Sequence, residues 1–174
     1  LGPGEHRAKA KAGGREAEFE EREMGLRDVQ VAVESLVRRA GLDGVERPAV
    51  ARGVYRRVDE VAPPLASLLA DGRVVDLGRG LLVHADAAAR GLRAVVDAVA
   101  RFHQRSPLVL GMRKADISGQ IGASPEVVDG ILDRCRERKL VEPLDGGKVR
   151  AWGRVPTLSA AQAVRRDAIV AALA

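Results

Sequence analysis

Residues 101–121 read RFHQRSPLVLGMRKADISGQI, and residues 131–152 read ILDRCRERKLVEPLDGGKVRAW. The first stretch predicts the end of a helix, a turn punctuated by Pro107 and Gly111, and a short second helix. The second stretch predicts a third helix and then two short strands, which a Gly-rich turn at residues 145–147 joins into a hairpin. Three helices followed by a hairpin are the element order of a winged helix, so this region predicts a helix-turn-helix with one wing.

The third helix of this unit has the clearest local signals. Ser124 is a typical N-cap residue, and Pro125 suits the first helical position because its missing N–H would have no partner there. The apolar residues that follow recur at helical spacing and predict one buried face. Cys135 lies on that face, so we interpret it as a small core residue. The predicted buried residues are Val127, Val128, Ile131, Leu132 and Cys135.

An internal repeat extends the prediction to the first half of the chain. A shift of 66 residues superimposes apolar residues of the third helix and of the hairpin. It places Leu65 on Ile131, Leu69 on Cys135 and Val83 on Val149. Pro63 and Pro64 fit the repeat poorly, because proline inside a helix removes a backbone donor and clashes with the preceding turn. Either the third helix of the first copy is short and begins at Pro64, or the first copy is distorted.

The predicted fold is therefore mainly α with small β-hairpins, arranged as tandem winged-helix domains. Residues 1–24 are expected to form a linker that is first basic and then acidic. Residues 25–85 are expected to form the first winged helix and residues 86–155 the second. Residues 156–174 are expected to be the first helix of a truncated third winged helix, so the sequence has the character of a fragment.

Composition narrows the function classes. The 174 residues carry a net charge of +5, which favours nucleic-acid or ribosome surfaces. The single cysteine cannot form an intramolecular disulfide, and with three scattered histidines it makes no metal-ligand spacing. The sequence has no signal peptide and no apolar run of membrane-spanning length, so we expect a cytoplasmic protein that does not contact membranes. We predict no catalytic site, no metal site and no cofactor-binding site in this sequence.

A more specific indication comes from the motif Phe102-His103-x3-Pro107-Leu108-x2-Gly111-Met112-x-Lys114. It resembles the segment between the first two helices of a winged-helix repeat in bacterial selenocysteine-specific elongation factors (SelB). The later pattern at Pro156, Leu158, Ser159 and Gln162 agrees with this resemblance. We expect Phe102 to lie in the core and His103 to cap the end of its helix.

The resemblance implies a translation factor with an N-terminal GTPase that delivers selenocysteinyl-tRNA and uses GTP and magnesium. It also implies a C-terminal arm of four winged helices, the last of which grips the selenocysteine-insertion mRNA hairpin. The phosphate-binding pattern G-x-x-x-x-G-K-[ST] does not occur in this sequence, so the chain would be part of the arm and not an enzyme. Its partners would be RNA and the ribosome through the full-length factor, and it would be a monomer.

Basic residues crowd the end of the third helix and the wing of the second copy. These elements are the usual nucleic-acid contacts of a winged helix, and Lys and Arg there can neutralise phosphates. The alternative interpretation is a solvated face with favourable cations at a helix C-terminus, diluted by Asp129, Asp133 and Glu137. The candidate nucleic-acid contacts are Arg134, Arg136, Arg138, Lys139, Lys148, Arg150 and Arg154.

Two other functional hypotheses remain open from the sequence. The first is a DNA-binding transcriptional regulator with tandem winged helices. It would need a recognition helix with base-reading Arg, Asn or Gln on its exposed face, and the third helix of the first copy carries almost none. The second is a module that binds only other proteins.

Overall fold

The computed structural model describes residues 23–156, residue 158 and residues 160–173. The chain divides into two compact units, Leu1–Ala85 and Asp86–Ala174, which we call module 1 and module 2. The predicted linker, residues 1–24, lies outside the described residues except at residues 23 and 24, which are already helical.

Within residues 23–85, the described part of module 1, the chain forms three helices and a three-stranded sheet. Its sheet has the order β1-β3-β2, and both strand pairs are antiparallel. The elements are α1 (residues 23–40), β1 (Val45–Glu46), α2 (Arg47–Gly53), α3 (Val58–Ala70), β2 (Val74–Asp76) and β3 (Leu81–His84).

Module 2 repeats this plan, and its first helix begins directly after the last strand of module 1. Its sheet has the equivalent order β4-β6-β5, again antiparallel. The elements are α4 (Ala85–Arg105), β4 (Met112–Arg113), α5 (Lys114–Ile121), α6 (Pro125–Glu137), β5 (Val141–Leu144) and β6 (Lys148–Ala151). A further helix, α7 (Ala160–Leu173), follows. Two helix-turn-helix units, each closed by a hairpin wing, confirm the predicted tandem winged-helix fold.

The register of the repeat differs by one residue from the prediction. β1 begins at Val45 and β4 at Met112, so the modules are related by 67 residues. Cys135 is thus equivalent to Leu68 and not to Leu69. The side chains of Cys135 and Leu68 are both fully buried. The prediction was wrong because apolar residues stand side by side in module 1, as at Leu68 and Leu69. Either register then satisfies the apolar pattern.

Helix α3 is longer than the short helix from Pro64 that was one of the two sequence-based alternatives. It begins at Val58 and runs through Pro63 and Pro64, so it does not start at the prolines. The backbone N–H of Arg57 donates to Glu60 Oε2 at 2.9 Å, and carboxylates in the first turn favour this helix end. Pro64 is itself buried. Burial of the helix's apolar face in the core therefore outweighs the two missing backbone donors.

Each module has its own aliphatic core between the helices and the inner face of its sheet. Module 1 buries one valine stripe of α1 against α2, α3 and the wing, and module 2 buries the matching stripe of α4. The fully buried side chains include Val33, Val37, Val50, Leu68, Leu82, Val95, Val99, Met112, Ile117, Ile131 and Cys135. The prediction that Cys135 is a core residue is confirmed.

A buried carboxylate ties α1 to the wing of module 1. Arg38 Nη2 donates to Glu34 Oε1 at 3.0 Å, His84 Nε2 lies 3.3 Å from the same oxygen, and Arg73 pairs with Glu34 Oε2. Burial by itself raises the pKa of Glu34. The hydrogen bond to His84 and the charges of Arg73 and Arg38 outweigh it, so the pKa lies below its ordinary value.

This network predicts an acid-sensitive component of stability. Because the pKa of Glu34 is lower in the folded state, its charged form stabilises the fold above the ordinary carboxyl pKa. This contribution is lost as pH falls through the folded pKa. Glu34→Gln is expected to lower the free energy of unfolding at neutral pH by about 1–3 kcal/mol. The substitution should also make the free energy of unfolding fall less steeply as the pH is lowered. Urea unfolding at several pH values measures both effects. Asp28→Asn, at an exposed position of α1, is the control. Parallel pH curves for wild type and Glu34→Gln would contradict this account.

Candidate nucleic-acid interface

The third helix of a winged helix is the element that usually enters a nucleic-acid groove. In module 1 this helix, α3, contains no Lys or Arg. In module 2 the exposed side chains of α6 are mostly acidic, comprising Glu126, Asp129, Asp133 and Glu137 beside the single cation Arg136. Neither surface suits the reading of base edges or the neutralisation of phosphates along the helix.

Positive charge collects instead where α6 ends. Arg136 and Arg138 are exposed, and Arg136 pairs loosely with Asp133 at 3.6 Å. Arg134 is half-buried and interacts within the protein, so it is less accessible than its neighbours. Lys139 is exposed and follows the last turn of the helix. Three of the four predicted contacts at this helix end are therefore at the surface.

Lys139 occupies an unusual backbone position. Its φ is 54°, and its N–H donates to Arg136 O at 2.9 Å to close the helix. The equivalent residue of module 1 is Gly72, with φ 69°, which adopts this conformation without a steric penalty. A lysine here costs about 1–2 kcal/mol, and it places an ammonium group at the surface instead of a glycine.

A shallow groove of about 340 Å³ adjoins this helix end. Arg138 and Leu140 line one side, and Arg93 and Val96 of α4 line the other, together with Asp97. Arg93 was not among the candidate contacts, although the helical spacing of α4 places it opposite the buried Val95 and Val99. We define the α6-end surface as Arg93, Arg136, Arg138 and Lys139.

Lys148 lies apart from the α6-end surface. It pairs in register with Leu144 and with Arg113, near the wing tip, whereas the wing joins the end of α6 where Val141 pairs with Ala151. Three residues of strand separate these ends by about 10 Å. The structure therefore does not bring Lys148 together with the cations of the helix end.

Arg150 and Arg154 have partners inside module 2. Arg150 Nε donates to Glu142 Oε1 at 2.8 Å, and this hydrogen bond lowers the pKa of Glu142. Arg154 Nη2 donates to the carbonyl of Pro107 at 3.1 Å and so ties the chain after β6 to the turn after α4. Both side chains are half-buried. We therefore infer that Arg150 and Arg154 stabilise the fold of module 2 and are not accessible nucleic-acid contacts.

The motif residues Phe102 and His103 differ in burial from the prediction. His103 is buried, and its Nε2 accepts the backbone N–H of Ala151 at 3.4 Å. Phe102 is only half-buried and contacts the His103 ring edge-on, with centroids 5.5 Å apart. Burial, with Arg154 and Arg150 nearby, lowers the pKa of His103 and favours the neutral imidazole. His103 joins α4 to the wing and is not a charged helix cap.

The buried thiol and the acidic and histidine side chains of the described residues are the groups relevant to reactive and metal-binding sites. Burial raises the pKa of the Cys135 thiol to about 11, so the reactive thiolate is disfavoured at neutral pH. Among the described residues, no group of three or more His, Cys, Asp or Glu side chains is placed to hold a metal ion. In the same part of the chain, every helix is too short or too polar to cross a membrane.

Module 1 also exposes an aromatic residue, Tyr55, that was not among the candidate contacts. Tyr55 lies in the turn between α2 and α3 with φ 54°, and its side chain is 94 % exposed. The equivalent residue of module 2 is Gly122, with φ 64°. The correct 67-residue register would have revealed this exchange of glycine for tyrosine.

No family model and no curated protein matches this chain. Its structure is similar to that of the mRNA-binding domain of elongation factor SelB from E. coli, solved in complex with SECIS RNA. The two share 11 % sequence identity with a TM-score of 0.55, over 74 % of this chain and 97 % of the other. This chain therefore has the tandem winged-helix fold that is seen in the mRNA-binding domain of SelB.

Proposed function

We propose that this chain is a winged-helix segment of a selenocysteine-specific translation elongation factor and contacts RNA. The observation that carries the proposal is its structural similarity to the mRNA-binding domain of SelB. The motif at residues 102–114, which resembles a segment of the winged-helix repeats of these factors, supports the same family from the sequence. The α6-end surface offers the accessible positive charge that RNA contact requires.

In this role the two modules form part of an arm between a GTPase and an mRNA-hairpin-binding tip. The GTP and magnesium of the family would bind to the GTPase part, and the chain described here would support selenocysteine incorporation without catalysing a reaction. It would act in the cytoplasm as a monomer. Selenocysteinyl-tRNA and the ribosome would be partners of the full-length factor.

The mode of contact follows from the distribution of charge. The exposed face of α6 is acidic and α3 has no cations, so neither helix is suited to insertion into a groove. The cations of the α6-end surface can pair with phosphates without reading the bases. RNA binding by these modules would therefore be electrostatic and largely independent of sequence.

A binding comparison tests this function. The 174-residue chain is titrated against a fluorescent selenocysteine-insertion hairpin RNA and against a duplex DNA of equal charge, at several salt concentrations. We expect salt-sensitive binding to the hairpin that is at least as tight as binding to the DNA, with little dependence on DNA sequence. Preferential binding to one DNA sequence would instead indicate the transcriptional-regulator hypothesis. Absence of RNA binding at low salt would overturn the proposal.

A further inference from the structure

The turn between α2 and α3 of module 1 presents the chain's only tyrosine in a conformation that favours glycine. Tyr55 N–H donates to Arg52 O at 3.2 Å, and Arg56 N–H donates to Ala51 O at 3.0 Å. These two bonds close α2 in the pattern that usually has glycine at the position of Tyr55. Module 2 has Gly122 at this position, so the turn itself does not require a tyrosine.

Packing does not explain the tyrosine either. Its side chain is 94 % exposed, and its hydroxyl has no hydrogen-bond partner among the described residues. A residue held in a strained backbone conformation without compensating contacts is a reason to look for a functional contact. The exposed ring is available to a ligand on both faces.

The charges beside Tyr55 indicate what that ligand is. Arg52, Arg56 and Arg57 are all exposed, and only Arg57 forms an ion pair in the described part of the chain, with Asp59 at 3.1 Å. Arg52 and Arg56 therefore remain available for phosphates. Arg56 also lies beside Asp59 and Glu60, so the positive charge is local to residues 52–57. An exposed aromatic residue close in sequence to exposed arginines supplies the residue types that bind single-stranded nucleic acid, where the base stacks on the ring.

We propose that Tyr55, Arg52 and Arg56 form a second RNA contact, which binds an unpaired nucleotide by stacking of its base on the Tyr55 ring and pairing of its phosphates with the two guanidinium groups. Bases inside a duplex are already stacked on one another, so the contact would select loops, bulges and single strands. It would lie on module 1, whereas the α6-end surface lies on module 2. This inference rests on the proposed RNA-binding function and adds to it a preference for unpaired nucleotides.

The test uses the full 174-residue chain with fluorescent oligouridine and a blunt RNA duplex of equal length. Three variants are compared: Tyr55→Gly, Tyr55→Ala and Tyr55→Phe. Loss of the ring in Tyr55→Gly or Tyr55→Ala is expected to weaken oligouridine binding about tenfold and to leave duplex binding unchanged. Tyr55→Phe should bind like wild type. Tyr55→Gly should also raise the melting temperature, because glycine relieves the backbone strain. Weaker binding by a more stable protein cannot be a folding defect.

Four results would count against the inference. If Tyr55→Gly binds oligouridine as tightly as wild type, or if it loses duplex binding equally, the ring does not stack on an unpaired base. If wild type binds the hairpin RNA but not oligouridine, this second contact is wrong and the proposed function stands. If wild type binds neither RNA, both proposals are wrong.

Discussion

Gly111→Ala is expected to destabilise module 2 by about 1–3 kcal/mol. Gly111 is buried just before β4, and a Cβ there would lie 2.9 Å from the carbonyl oxygen of Val149 and 2.8 Å from Leu144 Cδ1. The Leu144 side chain can turn away, but the Val149 carbonyl belongs to β6, the central strand of the sheet. Relief of the clash must therefore shift a strand that is paired on both sides.

The measurement is urea unfolding of Gly111→Ala beside a matched control, Gly119→Ala. Gly119 lies on the exposed face of α5, and a Cβ there meets no atom within 4 Å. Alanine at this position is expected to stabilise by about 0.4–1 kcal/mol, because it reduces the freedom of the unfolded chain. Equal unfolding midpoints for the two variants would contradict the close approach of β4 and β6.

Removal of three arginines from the α6-end surface is expected to weaken binding to the hairpin RNA about tenfold or more at low salt. The variant combines Arg93→Gln, Arg136→Gln and Arg138→Gln, all at exposed positions. Each exposed ion pair with a phosphate contributes roughly 0.5–1 kcal/mol, so the loss of three pairs weakens binding by at least about tenfold. The buried residues and the backbone of Lys139 are unchanged, so the fold should be retained.

The control for this variant removes the same charge elsewhere. Arg27→Gln, Arg39→Gln and Arg165→Gln lie at exposed positions on α1 and α7. The net charge of the protein attracts RNA from a distance, whatever surface the RNA then contacts. Both triple variants lose three positive charges, so this long-range attraction is reduced equally in the two. If the two bind the hairpin equally weakly, the loss reflects overall charge and the α6-end surface is not a contact.

The element order and the cores could be predicted from the sequence because their signals are local. Ser124 and Pro125 mark the start of α6, and the caps, turn glycines and apolar spacing of each module agree with one another. The start of α3 was not predictable from Pro63 and Pro64. Burial of the apolar face of α3 in the core outweighs the cost of the two prolines. The free energy of that burial depends on tertiary contacts, which the local sequence pattern does not specify.

The candidate interface was harder to predict because charge along a sequence does not specify accessibility. Arg150 and Arg154 lie close in sequence to the exposed basic residues of this region. Their side chains nevertheless donate within the module, from Arg150 to Glu142 and from Arg154 to the carbonyl of Pro107. Arg93 reaches the interface from another helix, which only the packing of α4 beside the end of α6 reveals. Tyr55 was missed because the assumed repeat register was one residue short.

The salt dependence of hairpin RNA binding tests the central claim, which is phosphate contact through the α6-end surface. The logarithm of the binding constant is plotted against the logarithm of salt concentration for wild type, the Arg93/Arg136/Arg138 variant and the charge-matched control. If each of the three arginines neutralises one phosphate, the slope of the first variant should be shallower than that of wild type by about 2–3. The control should keep the wild-type slope. Identical slopes for wild type and the Arg93/Arg136/Arg138 variant would show that RNA does not contact this surface.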